Sequence, residues 1–425
     1  MKRILFFLLL IPSLSFAQTD LPDHIHTHAD ELISAAMGSS FGWERLNHLV
    51  DYYGPRFSGS ETLENSIDWI VEEMQKDGFD RVWTQPVKVP HWVRGEESAT
   101  LNVPIERDLP MLGLGGSIGT PVDGITAEVL VVSSFDELED RSEDAEGKIV
   151  LFNAPFTTYG ATVQYRIRGA SEAAKHGAVA SLIASVASYS IQTPHTGVMR
   201  YEEGVRKIPS AAITVEDALM IHRFQERGES IEITLKMEAE TLPDADSRNV
   251  IAEIKGSEFP DEIIVLGGHI DSWDVGQGAM DDGGGCVAAW EALRLIKELG
   301  LTPKRTIRVV LWTNEENGLA GAEEYKRYAE EDEKSLDNHV LGMESDAGVF
   351  DPIGFGFTGS DAAFEILSEI GTSLKKIDSG LVTEGGGGAD IGPLMRAGMP
   401  GMGLRVDGEK YFWFHHTDAD TIDKL

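Results

Sequence analysis

The stretch Glu262–Gly285 reads EIIVLGGHIDSWDVGQGAMDDGGG. It begins as a near-continuous apolar run and reaches His269 and Asp271. It closes on the adjacent aspartates 281 and 282, followed by three glycines. Directly after it, Val287, Trp290, Leu293 and Ile296 recur at helical spacing up to Gly300. The unit is therefore strand, loop, helix. The same alternation surrounds it: NVIAEIKG (249–256) reads as a strand, TIRVVLWTNEE (306–316) as a strand, Leu319–Glu331 as a helix, and HVLGMESDAG (339–348) as a strand. Strands that are apolar on both faces belong in a sheet covered on both sides. The alternation predicts an α/β fold, a mixed sheet flanked by helices.

Upstream, Ala29–Tyr53 and Thr62–Gly78 carry helical periodicity, Asp80–Val89 is a strand candidate, and Gly54–Ser60 is a loop. Between about Gly115 and Met237 the texture changes. Short apolar or β-branched runs (GITAEVLVV, GKIVLFNA, VASLIASV, IPSAAIT, SIEITLKM) alternate with turn residues, and one clear helix covers Gln164–His176. This predicts a mainly β insert with one or two helices. The expected layout is a leader at 1–17, the first part of the main domain at 18–115, the insert at 116–240 and the second part at 241–425.

The first residues, MKRILFFLLLIPSLSFA, have a basic start, a short apolar run and a small-X-small end, the pattern of a secretory signal peptide. Its apolar run is too short for a mature membrane anchor, and no later stretch reaches about 18 uninterrupted apolar residues. An exported protein, periplasmic or extracellular, is expected. The chain of 425 residues holds 71 Asp and Glu against 36 Lys and Arg. Removal of the leader takes Lys2 and Arg3 and moves the formal charge from −35 to −37. A surface this acidic repels phosphate backbones, so nucleic acid is excluded as a partner. Cys286 is the single cysteine, so the chain has no internal disulfide, and its place in an apolar helical pattern reads as a small core residue.

In α/β sheets the working side chains collect beyond the carboxyl ends of the strands. Here those positions carry His269 and Asp271, then Asp281 and Asp282, Glu315 and Glu316, and Asp346; His415 and His416 follow near the C-terminus. So many acids at one edge would raise each other's pKa unless a cation neutralised them. A mixed imidazole and carboxylate set suits zinc. Two zinc ions that share a carboxylate suit hydrolysis. The glycines around Asp281 are expected to permit a forced backbone that aims both carboxylate oxygens, with an unusual peptide, cis included, between Asp281 and Asp282.

Eight stretches resemble the co-catalytic dizinc exopeptidase family that includes bacterial leucyl aminopeptidases and glutamate carboxypeptidases. They are GPRFSGS (54–60), PHWVRGEESATL (90–101), ITAEVLVVSSFDEL (125–138), VASYSIQTPHTG (186–197), HIDSWDVGQGAMDDGGG (269–285), WTNEENG (312–318), MESDAG (343–348) and YFWFHHT (411–417). The resemblance covers nearly the whole chain after the leader. It implies the zinc-dependent exopeptidase fold, a phosphorylase/hydrolase-like mixed sheet, with a protease-associated domain as the mainly β insert. It implies two zinc ions per subunit: His269 and Asp346 on one, Glu316 and His416 on the other, Asp281 bridging. His416 is preferred to His415 because Thr417 follows it, as in the family. Glu315 would be the general base, taking a proton from the attacking water and passing it to the leaving amine. Asp271 would hold the free nitrogen of His269. The implied substrates are short peptides, dipeptides in particular, with an aminopeptidase acting on longer peptides as the alternative and a metal-free binding module of the same fold as a second. A homodimer is also implied. The family continues for another helix beyond HHT, whereas this chain ends at Leu425.

Other candidates have plainer readings. His24, His26 and His28 read as an N-terminal arm, His195 as a loop residue of the insert within reach of the cleft, Trp273 as a packing wall, and Asp420 as a cap or support. The glycine-rich loop Glu384–Asp390 is a candidate lining of the substrate pocket.

Overall fold

The computed structural model describes residues 21–425, and the predicted leader lies outside them. Two eight-stranded sheets organise the chain. The first runs in the order Arg81–Val93, Glu240–Ile254, Arg305–Trp312, Phe259–His269, His339–Glu344, Gly401–Val406, Pro352–Thr358, Leu381–Glu384. Its centre is parallel: Phe259–His269 lies between Arg305–Trp312 and His339–Glu344, with His269 opposite Trp312 and Gly267 opposite Glu344. Its flanks include antiparallel pairs, so the sheet is mixed, as expected.

Period-two alternation explains the unbroken apolar runs. Val309 and Leu311 face a core built with Leu63, Ile67, Ile70 and Met74 of helix Glu61–Lys76 and Trp290 and Leu293 of helix Gly284–Glu298. Val310 and Trp312 point the other way, onto Ala322 and Tyr325 of helix Ala320–Glu331. Leu293 is fully buried in the first of these layers. Leu293→Ala is expected to lower the unfolding free energy by about 2–5 kcal/mol, read from urea denaturation at constant m-value. A loss under about 1 kcal/mol would mean that this layer is not close-packed.

The strands Arg81–Val93 and Glu240–Ile254 pair along nearly their whole length, an antiparallel ribbon that takes the chain to the second sheet and back. That sheet runs Arg107–Leu109, Glu97–Val103, Glu232–Met237, Ile125–Val132, Ile149–Phe152, Ala180–Ala184, Ser210–Ile213, Met111–Gly113. It therefore starts at Glu97, ahead of the expected position 116. It is also less purely β than its sequence suggests. Ile125–Val132, Ile149–Phe152, Ala180–Ala184 and Ser210–Ile213 are mutually parallel, and parallel neighbours need crossovers. Helices Phe135–Asp140 and Tyr159–Lys175 supply two of these, and a third helix, Val215–Glu226, follows the last parallel strand. Of these three helices, the sequence located only the one at Gln164–His176.

The expected helix Ala29–Tyr53 is two, Asp23–Gly38 and Phe41–Tyr53. The break falls at Gly38-Ser39-Ser40, where Ser39 is extended. His24, His26 and His28 lie in the first of these helices, at the N-terminal end of the described residues. Cys286 is buried, and its thiol donates to the carbonyl of His269 (3.1 Å). Among the described residues no helix is long and apolar enough to cross a membrane.

Candidate metal centre

Parallel register sets the site. Because Phe259–His269, Arg305–Trp312 and His339–Glu344 are neighbours in one direction, the residues beyond their ends share one edge. His269, the Glu315-Glu316 pair and Asp346 stand there, and Tyr411, Phe412, His415 and His416 join the two glutamates and Asp346 around one cavity.

Asp281 is the hub. Its Oδ1 lies 3.1 Å from His269 Nε2, and Asp346 Oδ1 lies 3.6 Å from the same nitrogen. Its Oδ2 lies 3.3 Å from His416 Nε2, which is 3.1 Å from Glu316 Oε2. Each carboxylate oxygen of Asp281 thus faces its own histidine, and each histidine also meets an acid, Asp346 for His269 and Glu316 for His416. His415 also approaches, with Nε2 3.5 Å from Asp281 Oδ2, and its ring stacks on His416 at 3.5 Å. Of the two, only His416 also meets Glu316.

The side chains fit a cation on three counts. Asp281 Oδ2 and Glu316 Oε1 are buried without a hydrogen-bond partner among the described residues. His269 Nδ1 donates to the carbonyl of Asp271 (2.9 Å), so its other nitrogen turns a lone pair toward carboxylate oxygens, an arrangement that requires a second proton or a metal ion between them. Burial, then the neighbouring charges, push the carboxyls of Glu315, Glu316 and Asp346 above their ordinary range, the repulsion that a divalent cation relieves.

The backbone around Asp281 is unusual. The Asp281–Asp282 peptide is cis. Gly278 ahead of it takes φ 58°, a left-handed value, but Gly283 and Gly284 are ordinary helical residues. The need for glycine after the aspartates is space rather than rotation. Asp282 turns inward, accepting from the N–H of His269 (3.1 Å) and of Gly285 (3.2 Å). A Cβ on Gly268 would stand 2.1 Å from the Asp282 carboxylate, and one on Gly285 2.3 Å from it. The second aspartate is therefore a brace between the strand end and the helix start.

Asp271 departs from its expected role. Its main-chain carbonyl, not its carboxylate, takes the His269 proton; the carboxylate is 3.8 Å from Nδ1. That carboxylate instead accepts from the N–H groups of Glu315 (3.1 Å) and Glu316 (3.3 Å) and from the Ser58 hydroxyl (3.3 Å). It fixes the turn that carries both glutamates.

Three supports stand behind these residues, and of them only Asp420 carried a reading from the sequence. Asp420, weighed there only as a cap or support, accepts from the N–H groups of Ala279, Met280 and Asp281 and so holds the loop of the hub. Arg56, fully buried inside GPRFSGS, donates to the carbonyls of Gly54, Ile270, Gln277 and Gly278 and ties the ends of that loop together. Thr196 of the second sheet's body contacts His416, as taken up below.

A cavity of about 430 Å³ opens onto Asp281, Glu315, Glu316, Asp346, His415 and His416. Tyr159, Arg166, Val198 and Arg200 come to it from the body of the second sheet. The loop Glu384–Asp390 does not line it; Gly388 packs instead on the Glu344 carboxylate, where a Cβ would stand 2.1 Å away. Trp273 is buried against Phe57, a wall as expected.

Residues 249–425 match the family model for Peptidase family M28. The chain is similar to carboxypeptidase Q of Homo sapiens, 54% identical over 380 residues that cover 89% of this chain and 80% of that protein. The carboxypeptidase Q of Xenopus laevis is 55% identical over the same shares. Among solved structures, a Peptidase M28 precursor from Shewanella amazonensis SB2B aligns with a TM-score of 0.88 at 37% identity, covering 95% of this chain and 92% of its own. BSAP, a zinc aminopeptidase from Bacillus subtilis, shares the fold at a TM-score of 0.67 and 23% identity, covering 90% of this chain and 89% of its own.

Proposed function

This chain belongs to peptidase family M28 and is a metallo-exopeptidase, and from that premise we propose that it is an exported enzyme that cleaves short peptides, dipeptides above all, with two zinc ions per subunit. One observation carries the reading: His269 and His416, the first beside Asp346 and the second beside Glu316, address opposite oxygens of a single carboxylate that lines a cavity together with Glu315. In this reading His269 and Asp346 hold one zinc, His416 and Glu316 hold the other, and Asp281 serves both. The imidazole and carboxylate donors suit zinc, and cobalt or manganese accepts the same types.

Bound zinc would polarise the scissile carbonyl and make water more acidic. The residues do the rest. Glu315 accepts the proton of the attacking water and returns it to the leaving amine. Asp271, by holding the N–H groups of both glutamates, keeps the base aimed into the cavity while Glu316 stays with His416. Burial, with the charges of Asp346, Glu316 and Asp281, holds the Glu315 carboxyl well above the usual range, against the pull of His269. A bound cation would offset the share that comes from the carboxylates; burial, the largest cause, remains and favours proton uptake over that of an exposed glutamate. The cavity is of small-ligand size, and its walls include side chains from the second sheet's body, which we assign as a protease-associated domain. A cavity of this size favours short peptides over long chains. The leader supports export.

Elemental analysis of the purified protein, with hydrolysis of free dipeptides, N-blocked dipeptides and tetrapeptides before and after chelation, tests the proposal. Expected are two zinc equivalents per chain, dipeptide cleavage that chelation abolishes, and zinc restoring it. Cleavage that survives removal of the metal would overturn the reading. Stepwise N-terminal trimming of tetrapeptides at the dipeptide rate would shift it to an aminopeptidase of longer peptides.

A further inference from the structure

His416 departs from ordinary backbone, with φ 61° in the left-handed region, so something must hold it. The holding groups come from the other body of the molecule. Thr196 N–H donates to the His416 carbonyl (3.0 Å), and the Thr196 carbonyl lies 3.3 Å from His416 Nδ1. One residue back, His195 Nδ1 lies 2.7 Å from the carbonyl of His415. His195 is buried, and burial holds its pKa down to about 3, so the ring is neutral and its single proton sits on Nδ1, facing that carbonyl. The segment is itself anchored: His195 N–H donates to Ser185 Oγ (2.9 Å), and Thr196 Oγ1 donates to Gly113 O (2.7 Å) and accepts from Arg94 (3.3 Å).

We propose that Pro194–Gly197 is a strap by which the second sheet's body positions a metal-binding histidine, with the Thr196 carbonyl selecting the ring tautomer of His416 and His195 fixing the main chain beneath it. The inference rests on the reading of His416 as a zinc ligand. The chemistry is a choice between two protons. Arg166 Nη1 stands 3.4 Å from His416 Nδ1 and 3.3 Å from the Thr196 carbonyl. A guanidinium only donates. Were it to donate to Nδ1, the ring's own proton would sit on Nε2, the nitrogen that faces Asp281 and Glu316 and has to be bare to bind metal. The Thr196 carbonyl has two lone pairs and takes both protons, that of Arg166 and that of His416 Nδ1. Nε2 is then left as an acceptor. The packing leaves no slack, since a Cβ on Gly197 would stand 2.3 Å from the Arg166 guanidinium carbon. His195 and Thr196 are therefore positioning residues, acting on zinc only through His416.

The test is competition between full-length protein and a chromophoric zinc chelator, with His195→Leu, His195→Asn and Thr196→Val compared with the parent. Asparagine keeps an N–H donor near the place of Nδ1; leucine removes it. Outer partners of metal-bound histidines are worth roughly 10–100-fold in affinity. In His195→Leu one of the two zinc equivalents is expected to weaken by about that factor while the other stays unchanged, and His195→Asn is expected to recover most of it. Thr196→Val, close to isosteric, loosens the carbonyl's anchor and is expected to weaken the same equivalent by a smaller factor. Parental affinity in both His195→Leu and Thr196→Val overturns the strap. So does an equal loss in His195→Asn, which would show that the donor is not what matters. A parent protein that binds no zinc would instead overturn the metal assignment on which the strap rests.

Discussion

Glu315→Gln is expected to keep both zinc equivalents and to lose on the order of 10²–10⁴-fold in kcat on dipeptides. The amide has the shape of the acid but cannot accept a proton from water. Metal retention follows from geometry. Glu315 lines the cavity, whereas Asp281 is met by His269, His415 and His416, and Asp346 and Glu316 stand beside His269 and His416. Two consecutive glutamates can serve different ends because the turn that carries them is held from outside. Asn314, at φ 68°, donates to Ser58 and accepts from the N–H of Ala320, and Asp271 takes the N–H groups of both glutamates. The substitution leaves all of these in place, so KM should change little while kcat falls. Turnover equal to the parent's would remove Glu315 as the base. Loss of metal along with activity would instead make it a ligand.

Much of this site could be read before any coordinates, and the reason is strand register. Residues at the ends of parallel neighbours must share an edge, so apolar runs ending at His269, Trp312 and Glu344 bring their following acids together whatever the loops do. What could not be read depends on local turns or on distant pairing. Whether Asp271 meets His269 through its carboxylate or its carbonyl turns on a few degrees of backbone between residues two apart, and the carbonyl is the one that does. The second sheet begins at Glu97 because Glu97–Val103 pairs with Glu232–Met237, far along the chain, and no local pattern announces such a partner. The glycines around Asp281 were expected to permit a forced turn; of those after Asp282, Gly284 leaves room for Val349 and Gly285 for the Ser345 carbonyl and the Asp282 carboxylate. The grip of Thr196 on His416 joins two bodies through main-chain atoms, for which residue type gives no signal.

Glu316→Gln is expected to change stability in opposite directions with and without zinc. Glu316 is buried, one of its oxygens has no hydrogen-bond partner among the described residues, and the other faces His416. In the metal-free protein its charge stands beside Asp281, and burial followed by that charge pushes its carboxyl well above the usual range. A buried glutamate with a raised pKa opposes folding once the pH exceeds its unfolded value near 4.3, so at pH 7 the parent carries a cost that a neutral amide of the same shape does not. The metal-free variant should therefore melt above the metal-free parent. With zinc the order reverses. A cation that binds only the folded state adds RT ln(1 + [L]/Kd), about 2.7 kcal/mol at a hundred times Kd. Removing a ligand should cost more affinity than the roughly 10–100-fold attached to an outer partner. The parent then gains far more from zinc than the variant, and the two melting curves exchange places between chelator and zinc-saturated buffer. Hydrolysis by the variant should fall with its metal content. A variant that melts below the parent in chelator would mean that the glutamate is already compensated there, and that the cluster does not need a cation to relieve it.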